Sequence, residues 1–240
     1  MKDRKRRVEK LTGMILVLSL ALSAVYAIVR IISAPAVSPE SATYVKTKSD
    51  YALVLVQCLL GLLVSLLPSI LARRWKIILP HGIYILYFVF LYCAIYLGEV
   101  WDFFYRVPHW DTLLHAFSGA MLGALGFILV DVLNRSEQVR VSLSPFFVAL
   151  FAFCFALAVG ALWEVYEFAM DGALGLNMQK HTTQTGVALA GHGALADTMK
   201  DLIIDALSAL GVAVLGYLDA THRREDPEAE LRRWPMRRRK

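Results

Sequence analysis

Cysteine is scarce in this chain of 240 residues: Cys58, Cys93 and Cys154 are the three present, and none stands in a C-x-x-C pair. Each lies inside an apolar stretch, which argues for small core residues and against a disulfide or cysteine-metal framework. Charged residues are scarce too, at 19% against 58% hydrophobic, which disfavours a soluble core. The sequence also lacks a phosphate-binding glycine loop, a Ser-His-Asp order and a redox-cysteine motif, so those chemistries have no support. No internal repeat is detectable.

What the chain does have is long apolar runs. Six blocks, roughly residues 11 to 32, 51 to 71, 77 to 97, 112 to 133, 145 to 167 and 198 to 218, are each long enough to cross a bilayer as a helix. The first follows "MKDRKRR" and exceeds the usual apolar core of a signal peptide, so it is expected to be a retained anchor. The expected fold is all-α: one polytopic membrane domain, with helices 1 to 3 over residues 11–97, helices 4 to 6 over 98–218 and a basic tail over 219–240.

The net charge of +5 comes from basic residues gathered beside the apolar blocks, which fits membrane topology better than nucleic-acid binding. Of the 25 Lys and Arg residues, 19 fall on one side if the N-terminus is cytoplasmic; Arg30, Lys46, Lys48, Arg106, Lys180 and Lys200 remain outside. Both termini are therefore expected in the cytoplasm, with the arginine-rich tail against anionic lipid. Trp101, Tyr105 and Trp110 fit an interfacial aromatic belt.

Acidic residues distribute the other way. Glu99, Asp102, Asp111, Glu164, Glu167, Asp171, Asp197, Asp201 and Asp205 gather toward the outer ends of the third to sixth blocks. In "HWDTLLHAFSGAMLGALGF", Asp111, His115, Ser118, Gly119 and Leu122 share one helical face, and the G-x-x-x-G at Gly119 and Gly123 lets another helix approach closely. "WEVYEFAMD" places Glu164, Glu167 and Asp171 on one face, with Gly160 a turn deeper. "DTMKDLIIDALSALG" does the same for Asp197, Asp201, Asp205 and Ser208, with Asp205 about 12 Å below Asp197 at roughly 1.5 Å per residue.

An isolated acid at the bilayer centre costs about 2.5–3.5 kcal/mol on insertion scales, so acids at one depth imply mutual contact, water or a cation. Helix capping offers an alternative for Asp111 and Asp197 at the expected helix starts. It cannot reach His115, Glu164, Asp201 or Asp205. These four read either as a cation or catalytic site, or as a structural network joining three helices. The catalytic candidates are His115, Glu164, Glu167 and Asp201; the metal candidates are His115, Glu164, Asp201 and Asp205; Asp111, Asp197, Asp171 and Arg30 form the rim. Such a donor set suits zinc, manganese or magnesium, and the ion would supply a hydrolytic water. Without an ion, His115 among carboxylates suits a proton relay in a transporter.

The Gly/Thr segment between Asp171 and Asp197 is expected to be a long outer loop carrying His181 and His192, of the kind that serves as a lid. His109 reads as an exposed loop histidine, His81 as a local hydrogen-bonder after Pro80, and Arg30 as a snorkelling cation.

The motifs "WDTLLHAFSGAMLGALGF", "WEVYEF" and "DTMKDLIIDALSALG" together resemble the YjdF-like family of bacterial inner-membrane proteins and, more distantly, the VanZ-like membrane proteins. The matching positions are Asp111 and His115, Glu164 with Glu167, and Asp197 with Asp201, within residues 98–218. The resemblance implies a helical bundle in the bacterial plasma membrane and no established reaction. The partners expected are membrane lipids and a lipid-linked envelope component, bound or hydrolysed at the outer face; a proton- or cation-coupled transporter and a structural scaffold are the competing classes.

Overall fold

A computed structural model describes residues 2–36, 46–74, 80–134, 143–183 and 187–225. The arginine-rich tail from residue 226, most of the "NRSEQVR" connection and parts of two other connections (37–45 and 75–79) lie outside the described residues. The described chain is helical: α1 Lys2–Ser33, α2 Lys48–Ser65, α3 Leu67–Arg74, α4 His81–Leu91, a π-helical continuation Tyr92–Val100, α5 Phe103–Arg106, α6 Trp110–Asn134, α7 Pro145–Leu174 and α8 His192–Glu225. Among the described residues there is no β-strand, only an isolated bridge between Thr182 and Ala188. Among the described residues, six helical spans are long and apolar enough to cross a membrane. Their outer surfaces are apolar: Leu22, Ile32, Phe168 and Leu215 are all more than two-thirds exposed, as side chains facing lipid can be.

The chain divides into two compact units, Met1–Leu114 and His115–Lys240. In the first, Leu16, Leu20, Ala24 and Ala27 of α1 pack with Val54 and Cys58 of α2 and Leu91 of α4. The start of α2 is fixed by a capping box in which Thr47 and Asp50 satisfy each other's backbone N–H groups. The second apolar block does not form one unbroken helix. Pro68 has no N–H to offer the Val64 carbonyl, so the helix breaks at Leu66. Tyr87 Oη donates to that carbonyl instead, at 2.8 Å. The third block also departs from the expectation of a plain α-helix: its C-terminal half is wound as a π-helix, closed by Trp101 N–H donating to Tyr96 O at 3.2 Å. His81 is not a local hydrogen-bonder, because its Nδ1 meets Glu9 of α1.

In the second unit small residues bring three helices close. A Cβ on Gly119 would fall 2.9 Å from the Asp205 carbonyl oxygen, and one on Gly126 would fall 2.7 Å from Ala152 Cα. The glycines of α6 therefore admit α8 and α7 at near-backbone contact, as the G-x-x-x-G spacing implied. Along α7 the buried face runs Ala149, Ala152, Ala156, Gly160 and then changes to Glu164, Glu167 and Asp171. The buried residues of α8 follow the same rule in reverse, from Asp201 and Asp205 to Ala209 and Ala213. Each helix thus turns one face inward, small at one end and acidic at the other.

α7 and α8 both outrun the apolar blocks. At about 1.5 Å per residue they are roughly 45 Å and 51 Å long, against about 30 Å of hydrocarbon. α7 continues to Leu174 and stops at Gly175, whose φ of 66° is the left-handed conformation that ends helices. α8 begins at His192, so Asp197 lies in its second turn and does not cap it. His192 is a helix residue, not a loop residue.

Candidate functional site

The division between the units falls inside α6, one residue before His115, so Asp111 and His115 remain successive turns of a continuous helix. His115 is 6% exposed, beside Glu164 at 4% and Asp201 and Asp205 at 2% each. The imidazole touches carboxylates on two helices. Its Nδ1 lies 3.2 Å from Asp205 Oδ2 of α8, and its Nε2 lies 3.8 Å from Glu164 Oε1 of α7. Within the second unit, His115 and Asp201 each offer a ligand atom within 4.8 Å of the other, a spacing that could hold a metal ion.

Asp205 owes its place to two glycines. Its backbone backs onto Gly119, while its carboxylate fills the space where a Gly160 side chain would begin, with Cγ 3.0 Å from that point. Asp205 Oδ1 is buried and has no hydrogen-bond partner among the described residues. A buried carboxylate oxygen left in this way is costly unless a proton or cation reaches it.

The remaining candidates have other surroundings. Glu167 accepts from Trp163 Nε1 at 2.9 Å, a helical i, i+4 pair. Asp171 accepts the backbone N–H groups of Met178 and Gln179 at 2.8 and 3.0 Å and has His181 Nδ1 at 3.3 Å. It ties the connection after α7 back onto the helix. Asp197 receives Lys180 Nζ at 3.2 Å, and Gln179 Nε2 donates to Thr198 Oγ1 at 2.8 Å. The segment expected to be an open loop is thus held to both of its flanking helices. Arg30 belongs to the first unit, with its guanidinium 5.1 Å from the Tyr51 ring centroid. His109 has φ 60° and immediately precedes α6.

Sequence reasoning suggested a pocket built by His115, Glu164, Glu167, Asp201 and Asp205, and all five side chains are buried. It missed Lys180, Gln179 and Trp163, whose partners lie across a connection or one turn along. The local signal for the first two was the run "NMQK", with three polar residues in four, two residues past the Gly175 stop.

The pattern of the DUF2238 family, described as predicted membrane protein, matches residues 18–222. The chain belongs to that family. The DUF2238 match embraces all six apolar spans in whole or in part. This DUF2238 protein is also 29% identical over 135 residues to an uncharacterized protein of Thermotoga maritima, a match covering 56% of this chain and 60% of that relative. No solved structure matches the chain.

Proposed function

We propose that this DUF2238 protein is a multi-pass protein of the bacterial plasma membrane whose second unit binds a divalent cation at the outer face and uses it to bind or hydrolyse a lipid-linked envelope component. The observation that carries the proposal is the buried cluster of the second unit, His115 with Asp201 beside it and Glu164 and Asp205 against its imidazole. Glu164, Asp201 and Asp205 could bear three negative charges, and His115 at most one positive charge. Such an imbalance in a buried site calls for protons or a cation. Imidazole with carboxylates is a donor set for zinc, manganese or magnesium, and such an ion would acidify a bound water.

The membrane orientation rests on the Lys and Arg distribution. It puts the acidic ends of α6, α7 and α8 at the outer leaflet, where a headgroup can arrive while its tail stays in the bilayer. The resemblance of the same motifs to YjdF-like and VanZ-like envelope proteins accords with that placement. Elemental analysis of detergent-purified protein, beside His115→Ala and Asp201→Ala, tests the cation. A near-stoichiometric divalent metal in the wild type, absent from both variants, is expected; folded wild type that takes up no divalent ion would refute the reading.

A second reading, a structural scaffold, is favoured by the close approaches at Gly119, Gly126 and Gly160, since a polar network between tightly packed helices can fix their order. Under it, the same two substitutions lower thermal stability and divalent ions do not protect the wild type.

A further inference from the structure

Arg30 closes the apolar stretch of α1 without an acid beside it. Among the described residues no carboxylate pairs with it, and its contacts are aromatic: the guanidinium lies 5.1 Å from the Tyr51 ring centroid, and Tyr26 meets the Tyr51 ring edge-on at 6.1 Å. Asp50, next to Tyr51, is engaged in the capping box of α2. Arg30 Nε is buried and has no hydrogen-bond partner among the described residues, while the residue as a whole is only part-buried. A guanidinium stays charged, and an uncompensated charge on an apolar helix calls for an anion.

The surface along α1 points to the carrier of that anion. Residues four apart stack on a helix face, so Arg30, Tyr26, Leu22 and Leu18 form one row. Tyr26, Leu22 and Leu18 are 54%, 69% and 54% exposed, so the row is a continuous apolar track with the guanidinium at its head. From Leu18 to Arg30 it rises about 18 Å at roughly 1.5 Å per residue. One leaflet of hydrocarbon is about 15 Å deep, half of the roughly 30 Å core.

We infer that Arg30 is the headgroup anchor of a bound phospholipid, with its planar fork on the lipid phosphate and the Tyr26–Leu22–Leu18 row against an acyl chain. Phosphate matches the fork in geometry as well as charge, and stacking on an aromatic face keeps the fork pre-oriented. Tyr51 supplies that face from α2, so the site belongs to the α1–α2 pair. Simple snorkelling would leave the guanidinium hydrated, whereas here Nε is sealed from solvent. The lipid site lies in the first unit and does not rest on the cation reading of the second.

The test is lipid retention by full-length protein in detergent, read by native mass spectrometry while phosphatidylglycerol is titrated in. Wild type should retain phosphatidylglycerol and ignore diacylglycerol with the same chains. Arg30→Met should weaken retention at least about tenfold, the worth of one hydrogen bond to a charged group. Arg30→Lys, which keeps the charge without the fork, should fall between the two, and it carries the test if Arg30→Met does not fold. Arg106→Met is the control, because Arg106 is ion-paired with Asp102 at 3.6 Å, and it should bind as wild type does. Wild-type affinity in either Arg30 variant, or an equal loss in Arg106→Met, would overturn the site. So would equal retention of diacylglycerol. Release of the lipid by excess inorganic phosphate would make the ligand the free anion and overturn it as well.

Discussion

The Asp205 carboxylate occupies the space in which a side chain at Gly160 would begin, so a glycine on α7 and an acid on α8 are one structural unit. Neither can change alone. Gly160→Ala should force Asp205 aside and cost about 1–3 kcal/mol, the usual range for overpacking. Thermal unfolding in detergent measures it. Combining Gly160→Ala with Asp205→Ala should destabilise by less than the sum of the two single changes, because the second removes the obstacle to the first. Strict additivity would separate the two residues.

Asp171 should govern the order of the connection that follows α7. It accepts two backbone N–H groups, from Met178 and Gln179, and hydrogen bonds to a charged acceptor are worth about 1.5–3 kcal/mol each. Asp171→Ala is expected to speed amide hydrogen exchange at Met178 and Gln179 by at least tenfold. The buried faces of α7 and α8 near Ala156 and Ala209 should exchange as before. Unchanged exchange at Met178 and Gln179 would count against the staple.

Tyr87 and Pro68 form a compensating pair across α4 and the α2–α3 junction. Tyr87→Phe leaves the Val64 carbonyl without the tyrosine hydroxyl and should lower stability by about 1–2 kcal/mol. In a Pro68→Ala background the backbone N–H of residue 68 can serve Val64, and the same Tyr87→Phe change should cost less. Equal costs in the two backgrounds would show that the hydroxyl does not replace the missing amide.

The charge distribution makes a topological prediction. Reporter fusions at residues 10 and 225 should both report cytoplasm, and a single cysteine at residue 178 should react with a membrane-impermeant thiol reagent added to intact cells. Labelling at residue 178 only after the membrane is opened would invert the orientation and remove the outer-face argument.

The sequence by itself determined that six apolar spans exist, because length and the near absence of charge are local properties that any bilayer-crossing helix must have. It also determined which faces of α6, α7 and α8 turn inward: the spacing of His115, of Glu164, Glu167 and Asp171, and of Asp201 and Asp205 follows helical periodicity. Tertiary structure decided the rest. Whether Asp197 caps a helix or pairs with Lys180 depended on where α8 begins, and polar residues in a helical turn outside the bilayer carry no hydropathy signal. The π-helical turns of Tyr92–Val100 had no local signature, since the same apolar residues suit an α-helix. Which nitrogen of His115 meets Asp205, and which meets Glu164, depended on the distance between helices, and that distance is set by Gly119 and Gly160 through contacts with residues 45 to 86 positions away.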